Sequence, residues 1–182
     1  MIAINNLSRF NKLIFKKSNL YVLLLITLIF IFDRFTKNLV INNFIEKTLY
    51  LNDFINLDLI WNIGIGFGLL SYDSFLIYNL ITVLIGTVLL ILIYIVIVSH
   101  NLDKLIFSII IGGALGNFYD RVIYNAVPDF IDLHYKTFHW FTFNVADIFI
   151  TFGVLAMILK EFLVKNKSVS YTHLRAHETD SY

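Results

Sequence analysis

Four long apolar runs are spaced along the chain, separated by polar stretches of unequal length. The first is YVLLLITLIFIF, residues 21 to 32, which continues to about Val40 if Asp33, Arg34 and Lys37 lie at an interface. The second is FLIYNLITVLIGTVLLILIYIVIV, 75 to 98; the third centres on LIFSIIIGGALGNFY, 105 to 119; the fourth runs from about Phe143 to Val164. About 20 apolar residues carry a helix across the hydrocarbon core. The pattern therefore predicts four transmembrane helices over about 20–40, 75–98, 102–121 and 143–164. Between them lie outer segments at 41–74 and 122–142. In the first of these, LYLNDFINLDLIWNIGIGFGLL alternates apolar and polar in its first half, as a half-buried strand does. Gly64, Gly66 and Gly68 then recur at every second residue, a sign of a bend or of close backbone approach. A small extramembrane sheet is expected there. The second segment, VIYNAVPDFIDLHYKTFHWFTF, is rich in aromatics suited to the headgroup level, with Trp61 and Trp140 as interface anchors.

Composition agrees with burial in lipid. The 182 residues are 58% hydrophobic and 15% charged, more apolar side chain than a water-soluble domain of this size can hide. The absence of cysteine excludes disulfides, thiolate catalysis and cysteine-based metal sites. A net charge of +1 gives no basis for nucleic-acid binding. Its distribution is more telling. Arg9, Lys12, Lys16, Lys17, Lys104, Lys160, Lys165 and Lys167 fall on one side of the predicted spans, against five basic residues and nine acids on the other. The positive-inside rule places both termini in the cytoplasm and the acidic segments outside. The first span begins like a cleavable signal, KK and then an apolar run. DRFTK follows it in place of a small-x-small site, so it reads as a retained helix.

The last residues break the pattern. VSYTHLRAHETDSY, 169 to 182, is polar, and VSYTHLRAHET is what one reading frame of a common sequencing adaptor encodes. Residues 168–182 are read as a non-native tail, and 1–167 as a single membrane-embedded domain.

Polar residues converge at the outer end of the spans: Asp33, Asn62, Asn117, Asp120, Arg121, Asp129, Asn144 and Asp147. Asn144 and Asp147 are three apart, and Asn117 and Arg121 four apart, so each pair shares a helix face. Four residues past Phe143, Asp147 sits about 6 Å into the apolar run at 1.5 Å per residue. An ionised group there costs a few kcal/mol or more. Two neighbouring carboxylates share a proton; one can take a proton from water while the other donates to a carbonyl. That is aspartic-protease chemistry, without metal or covalent intermediate. Asp129 and Asp147 make a workable pair, and from charge alone Asp33, Asp120 and Asp132 are equally eligible. The glycines of the third span serve packing, with no P-loop lysine after them. His134 and His139 lack an HExxH motif and a third ligand, which argues against zinc. Taken by itself Asp129 would read as a solvated loop acid, and Asp132 reads as a solvated or headgroup-facing one.

Five blocks then appear in order: DRFTK at 33–37, NIGIGFG at 62–68, GGALGNFYDR at 112–121, VPDFID at 127–132 and FNVAD at 143–147. In these the chain resembles the lipoprotein signal peptidases, the signal peptidase II family of bacteria, over roughly residues 20 to 162. The resemblance implies a four-helix integral membrane protein with a periplasmic β-cradle and a short periplasmic helix before FNVAD. It implies an aspartyl endopeptidase of the inner membrane that cuts prolipoproteins just before a diacylglyceryl-modified cysteine. Asp129 and Asp147 are then the catalytic dyad. Asn62, Asn117, Arg121 and Asn144 position substrate or dyad, and Asp33 and Asp120 support the site. Cofactor and metal are none, and the partners are the prolipoprotein and membrane lipid, with no obligate protein partner. Three positions depart from the family pattern: Arg34 for glutamine, Gly66 for alanine and Pro128 for an apolar residue. The competing class is a small proton-coupled transporter or a membrane assembly subunit. A transporter calls for midplane charges and repeated halves. The centres of spans two to four are uncharged and the halves differ. A serine intramembrane protease would need a Ser–His pair within the spans, which is missing.

Overall fold

In the computed structural model, residues 16–43, 48–64 and 75–179 are described, with side chains to residue 163 apart from those at 75 and 101. Gly66 and Gly68 and the end of the tail, 180–182, lie outside them.

Helix α1, Lys17–Asn43, buries Asn19, Val22, Ile29, Asp33, Lys37 and Val40. Steps of three, four and seven put these on one stripe, so the polar members point inward with the apolar ones. Helix α2, Phe75–Val98, is apolar all round, and nine of its large apolar side chains, from Leu76 to Val98, are exposed. Lipid is the solvent in which such a surface is stable. Helix α3, Asn101–Tyr124, is the central element, packed against α1, α2 and the last helix, α4, Val145–Thr179. The α1–α3 seam is close because α3 carries glycine there: a Cβ on Gly112 would lie 2.8 Å from Ile29 Cβ, and one on Gly116 would meet the Asp33 carboxylate. Gly113 gives the same closeness towards α4, where a Cβ would come 2.5 Å from the Ala146 carbonyl. Val22, Leu89, Val96 and Ile111 form the apolar core between α1, α2 and α3.

Among the described residues three helices are long and apolar enough to cross a membrane: Lys17–Asn43, Leu76–Val98 and Leu102–Tyr124. The expected fourth span falls in α4, whose first five turns carry Asp147, Lys160 and Glu161.

The α1 start, α2 end and α3 start share one end of the bundle. There Lys104 Nζ donates to Asn19 Oδ1 and to the Val96 and Ile97 carbonyls, 3.1 and 3.0 Å away. One buried ammonium thus caps the open C-terminus of α2. Lys160 pairs with Asp103 at the same end.

At the other end lies an antiparallel sheet of four strands, β1 Leu49–Asn52, β2 Ile55–Asn62, β3 Val127–Tyr135 and β4 Phe138–Phe143, in that spatial order. Asn52 Oδ1 accepts from the Phe54 and Ile55 amides at 2.9 and 3.0 Å, which sets the β1–β2 turn. The sheet is larger than the sequence suggests, and it replaces an expected element. The short helix before FNVAD is absent: residues 127–143 are the β3–β4 hairpin, turning at Lys136 and Thr137 with Lys136 at φ 57°. The segment's β-branched and aromatic residues suit a pleated surface, and β2 offers a strand edge that β3 fills over Ile55 to Asn62. Pro128, paired with Trp61, is tolerated near the start of its strand.

Asp132 also differs from expectation. It is only 4% exposed, with His139 Nδ1 at 2.7 Å and His134 Nδ1 at 3.8 Å. The β3–β4 register sets His134 opposite His139, and a register shift at Leu133/His134 brings both rings to the one carboxylate. Among the described residues no group of three acidic or histidine side chains is arranged to hold a metal.

Candidate active site

The site is assembled where α4 begins. Asn144 precedes its first turn, and Asp147 stands three residues on. Asn144 Oδ1 accepts from the Asp147 amide at 3.2 Å, and Asp147 Oδ2 accepts from the Asn144 amide at 3.1 Å. This reciprocal capping box satisfies two amides that a helix start leaves open. It also fixes the Asp147 carboxylate in space. A third amide, that of Ala146, donates to Asp33 Oδ1 at 3.1 Å, so α1 closes the same helix end.

Asn144 has a second task. Its side-chain Nδ2 donates to Asp129 Oδ1 at 2.6 Å, while Asn62 Nδ2 donates to Asp129 Oδ2 at 2.8 Å. Asn62 is itself held, its Oδ1 accepting from the Gly64 amide at 2.8 Å. Asp129 reaches this point because β3 pairs Asp129 with Ile60 and Val127 with Asn62. The other Asp147 oxygen, Oδ1, accepts from Asn117 Nδ2 at 2.7 Å.

Asn62, Asn117, Arg121, Asp129 and Asp147 line one cavity of about 300 Å³, with Ile85, Ala114, Val127 and Ile150 as its apolar wall. Arg121 donates to the Asn117 carbonyl at 3.2 Å and the Gly64 carbonyl at 3.3 Å, and among the described residues it forms no ion pair. Burial, and then the charge of Asp147, push the Asp129 carboxyl up to about 6; the Asn62 and Asn144 amides and Lys37 act in the opposite direction.

Asp33 and Asp120 lie outside the cavity, one layer towards α1. Both are fully buried and joined to Lys37 and Arg34. Lys37 Nζ is 3.0 Å from Asp33 Oδ2 and 2.7 Å from Asp120 Oδ2, and Arg34 reaches Asp120 at 2.5 Å and Asp33 at 3.0 Å. Two acids and two bases balance, which is what makes charge this deep sustainable. Arg34 also lies over the Tyr119 ring, 4.9 Å from its centre.

All eight residues singled out in the sequence are therefore in this region, six around the carboxylate pair and two in the adjoining charge cluster. Lys37 was not singled out. Its signal was present as a lysine four residues after an aspartate within a predicted span.

The sequence model of the family described as signal peptidase (SPase) II matches residues 25–163. The chain belongs to the signal peptidase II family. A protein of Pelagibacter ubique named lipoprotein signal peptidase is 50% identical over 156 residues, covering 84% of this chain and 94% of that protein. Another of the same name, from Francisella tularensis subsp. mediasiatica, is 38% identical over 151 residues, 80% of this chain and 93% of its own length. Among solved structures, a bacterial membrane enzyme determined by the in meso method at 2.3 Å resolution superposes with a TM-score of 0.66 at 32% identity. The match covers 81% of this chain and 90% of that one. Membership of this peptidase family does not favour the transporter or assembly-subunit alternative.

Proposed function

We propose that the chain is a membrane aspartyl endopeptidase that cleaves the signal peptide of diacylglyceryl-modified prolipoproteins just before the lipidated cysteine. The observation that carries this reading is that Asn144 binds Asp129 through its side chain and Asp147 through its backbone, within one cavity. Asp147, at a helix N-terminus with two N–H donors on its oxygens, is the ionised member. Asp129, whose carboxyl is raised, holds the shared proton. Asp147 takes a proton from water as the water attacks the scissile carbonyl. Asp129 donates its proton to the carbonyl oxygen, and the resulting tetrahedral diol collapses with proton transfer to the leaving amine. Arg121, without an ion pair among the described residues, orients substrate carbonyls at the cavity wall.

A groove of about 330 Å³ runs from Asp147 along α4 past Phe143, Ile148, Thr151, Phe152 and Leu155. It suits the apolar stretch of a signal peptide entering sideways from lipid, with the diacylglyceryl chains remaining in the bilayer. In this reading α4 is the fourth span, since residues 148–159 between Asp147 and Lys160 carry no charge. The termini are cytoplasmic, and the sheet and cavity face the periplasm of a bacterial inner membrane. Residues 168–182 take no part; the family match ends at 163.

The test is a mobility-shift assay on purified full-length protein with a diacylglyceryl prolipoprotein and its non-lipidated form. Wild type should cleave the lipidated form alone. Asp129→Asn and Asp147→Asn, folded and inserted, should each lose at least about 10³-fold in rate. Cleavage at the normal rate by either variant would defeat the dyad reading.

A further inference from the structure

The buried charge cluster touches the carboxylate pair at one point. Lys37 Nζ donates to Asn117 Oδ1 at 2.8 Å, and Asn117 Nδ2 donates to Asp147 Oδ1 at 2.7 Å. An ammonium has three N–H bonds and no acceptor. Those of Lys37 have three oxygens in reach: Asp33 Oδ2, Asp120 Oδ2 and Asn117 Oδ1. The side chain is fully buried, so no water competes for it.

The two ends of the Asn117 amide are chemically opposite, and its neighbours are opposite in the matching sense. Towards α1 stands a group that only donates; towards α4 stands a carboxylate that, ionised, only accepts. Only one of the two amide orientations satisfies both. With an apolar residue at position 37 the amide oxygen would have no buried donor, and the group would be free to turn its oxygen to Asp147. Asp147 would then lose one of its two N–H donors and the hold on its position.

We propose that Lys37 is a positioning residue for the reaction: through Asn117 it fixes the amide that holds Asp147 in register with Asp129. This rests on the dyad reading above. Lys37 touches neither carboxylate of the pair; its hydrogen-bonded link to Asp147 runs through the Asn117 side chain, and its charge acts on Asp129 only from a distance. The anchors of Lys37 are Asp33 and Asp120, so α1 and α3 set the geometry of a carboxylate on α4. Displacement of a reacting group by about 1 Å costs on the order of 10²-fold in rate.

The experiment measures kcat and KM separately for Lys37→Met, Asn117→Ala and the double variant, with Asp147→Asn as reference. A charge-balanced form, Lys37→Met with Asp120→Asn, is measured in parallel. Lys37→Met should lower kcat by about 10- to 100-fold with KM changed less than about twofold, because an interaction with the reacting carboxylate is lost rather than substrate binding. The double variant should be no slower than Asn117→Ala alone, within about twofold, because residues that act in series are not additive. Independent, multiplying losses would overturn the proposal, as would full activity of Lys37→Met beside an inactive Asp147→Asn. Loss of folded protein even in the charge-balanced form would make Lys37 a folding residue only, and would equally overturn it. An active Asp147→Asn would instead strike the dyad itself, so the two readings fail by different results.

Discussion

At the residue scale, Asn144 and Asn62 carry more than their size suggests. Each has an amide with two functions, and in both cases the Nδ2 end is given to Asp129 while the Oδ1 end is fixed by backbone. Amides that donate to a carboxylate favour its ionised form. They limit how far burial and Asp147 can raise Asp129, which stands at about 6. With Asp129 as the proton-bearing partner, kcat/KM should fall as pH rises through that value, because the free enzyme loses the acid. Asn62→Ala removes one donor to the ionised form, so the proton is held more tightly and the falling limb should move to higher pH. A pH profile of kcat/KM for wild type and Asn62→Ala checks this. An unmoved limb would mean that the fall reports a different group. The candidate residues were legible because polar side chains at one depth of an apolar chain are few. Their pairing came from the family resemblance and not from spacing, since a strand register that spacing does not encode carries Asp129 into the cavity that Asp147 also lines.

At the element scale, the helix faces were legible and the hairpin was not. A period of three to four put Asn117 with Arg121 and Asn144 with Asp147 in a way any helix must. Residues 127–143 gave no such constraint. Apolar residues stand on both faces of β3, so it lacks the alternation that marked the start of the first segment, and its partner strand lies some 70 residues away in sequence. The glycines of α3 were read as packing residues, and their places show what they permit. Gly116 faces the Asp33 carboxylate, which in turn caps α4 through the Ala146 amide. Gly116→Ala should therefore displace Asp33, cost about 1 to 3 kcal/mol by overpacking and lower activity together with stability. Gly86→Ala is the control. Its Cβ would stand 3.1 Å from the edge of the Phe118 ring, which can give way without disturbing a charge. Thermal unfolding of the two variants in the same detergent should show the larger loss at Gly116. Equal losses would mean that the α1–α3 seam has slack at Asp33.

At the scale of the whole molecule, the two ends of the bundle are chemically different. At one, Lys104 caps α2 and Lys160 pairs with Asp103; at the other stand the sheet, the carboxylate pair and the balanced cluster of Asp33, Arg34, Lys37 and Asp120. The distribution of lysine and arginine gives an expected sidedness in the bilayer, with the sheet outside. The proposed chemistry needs the same sidedness, since the site must meet its substrate at the outer leaflet. Because the natural background of cysteine is nil, single cysteines report sidedness directly. Thr137 lies exposed in the β3–β4 turn, and His100 lies exposed between α2 and α3 at the opposite end. In intact cells with a permeable outer envelope, a membrane-impermeant maleimide should label Thr137→Cys. It should label His100→Cys only after the inner membrane is opened. The reverse pattern would put the cavity on the cytoplasmic side, where it could not meet a scissile bond at the outer leaflet. Labelling of both in intact cells would mean that neither α2 nor α3 crosses, since the α2–α3 turn would then share a compartment with the sheet. The outcome expected here separates the ends by a bilayer and leaves Asp129 and Asp147 near the outer interface, at the depth where a lipid-anchored cysteine holds its neighbouring peptide bond.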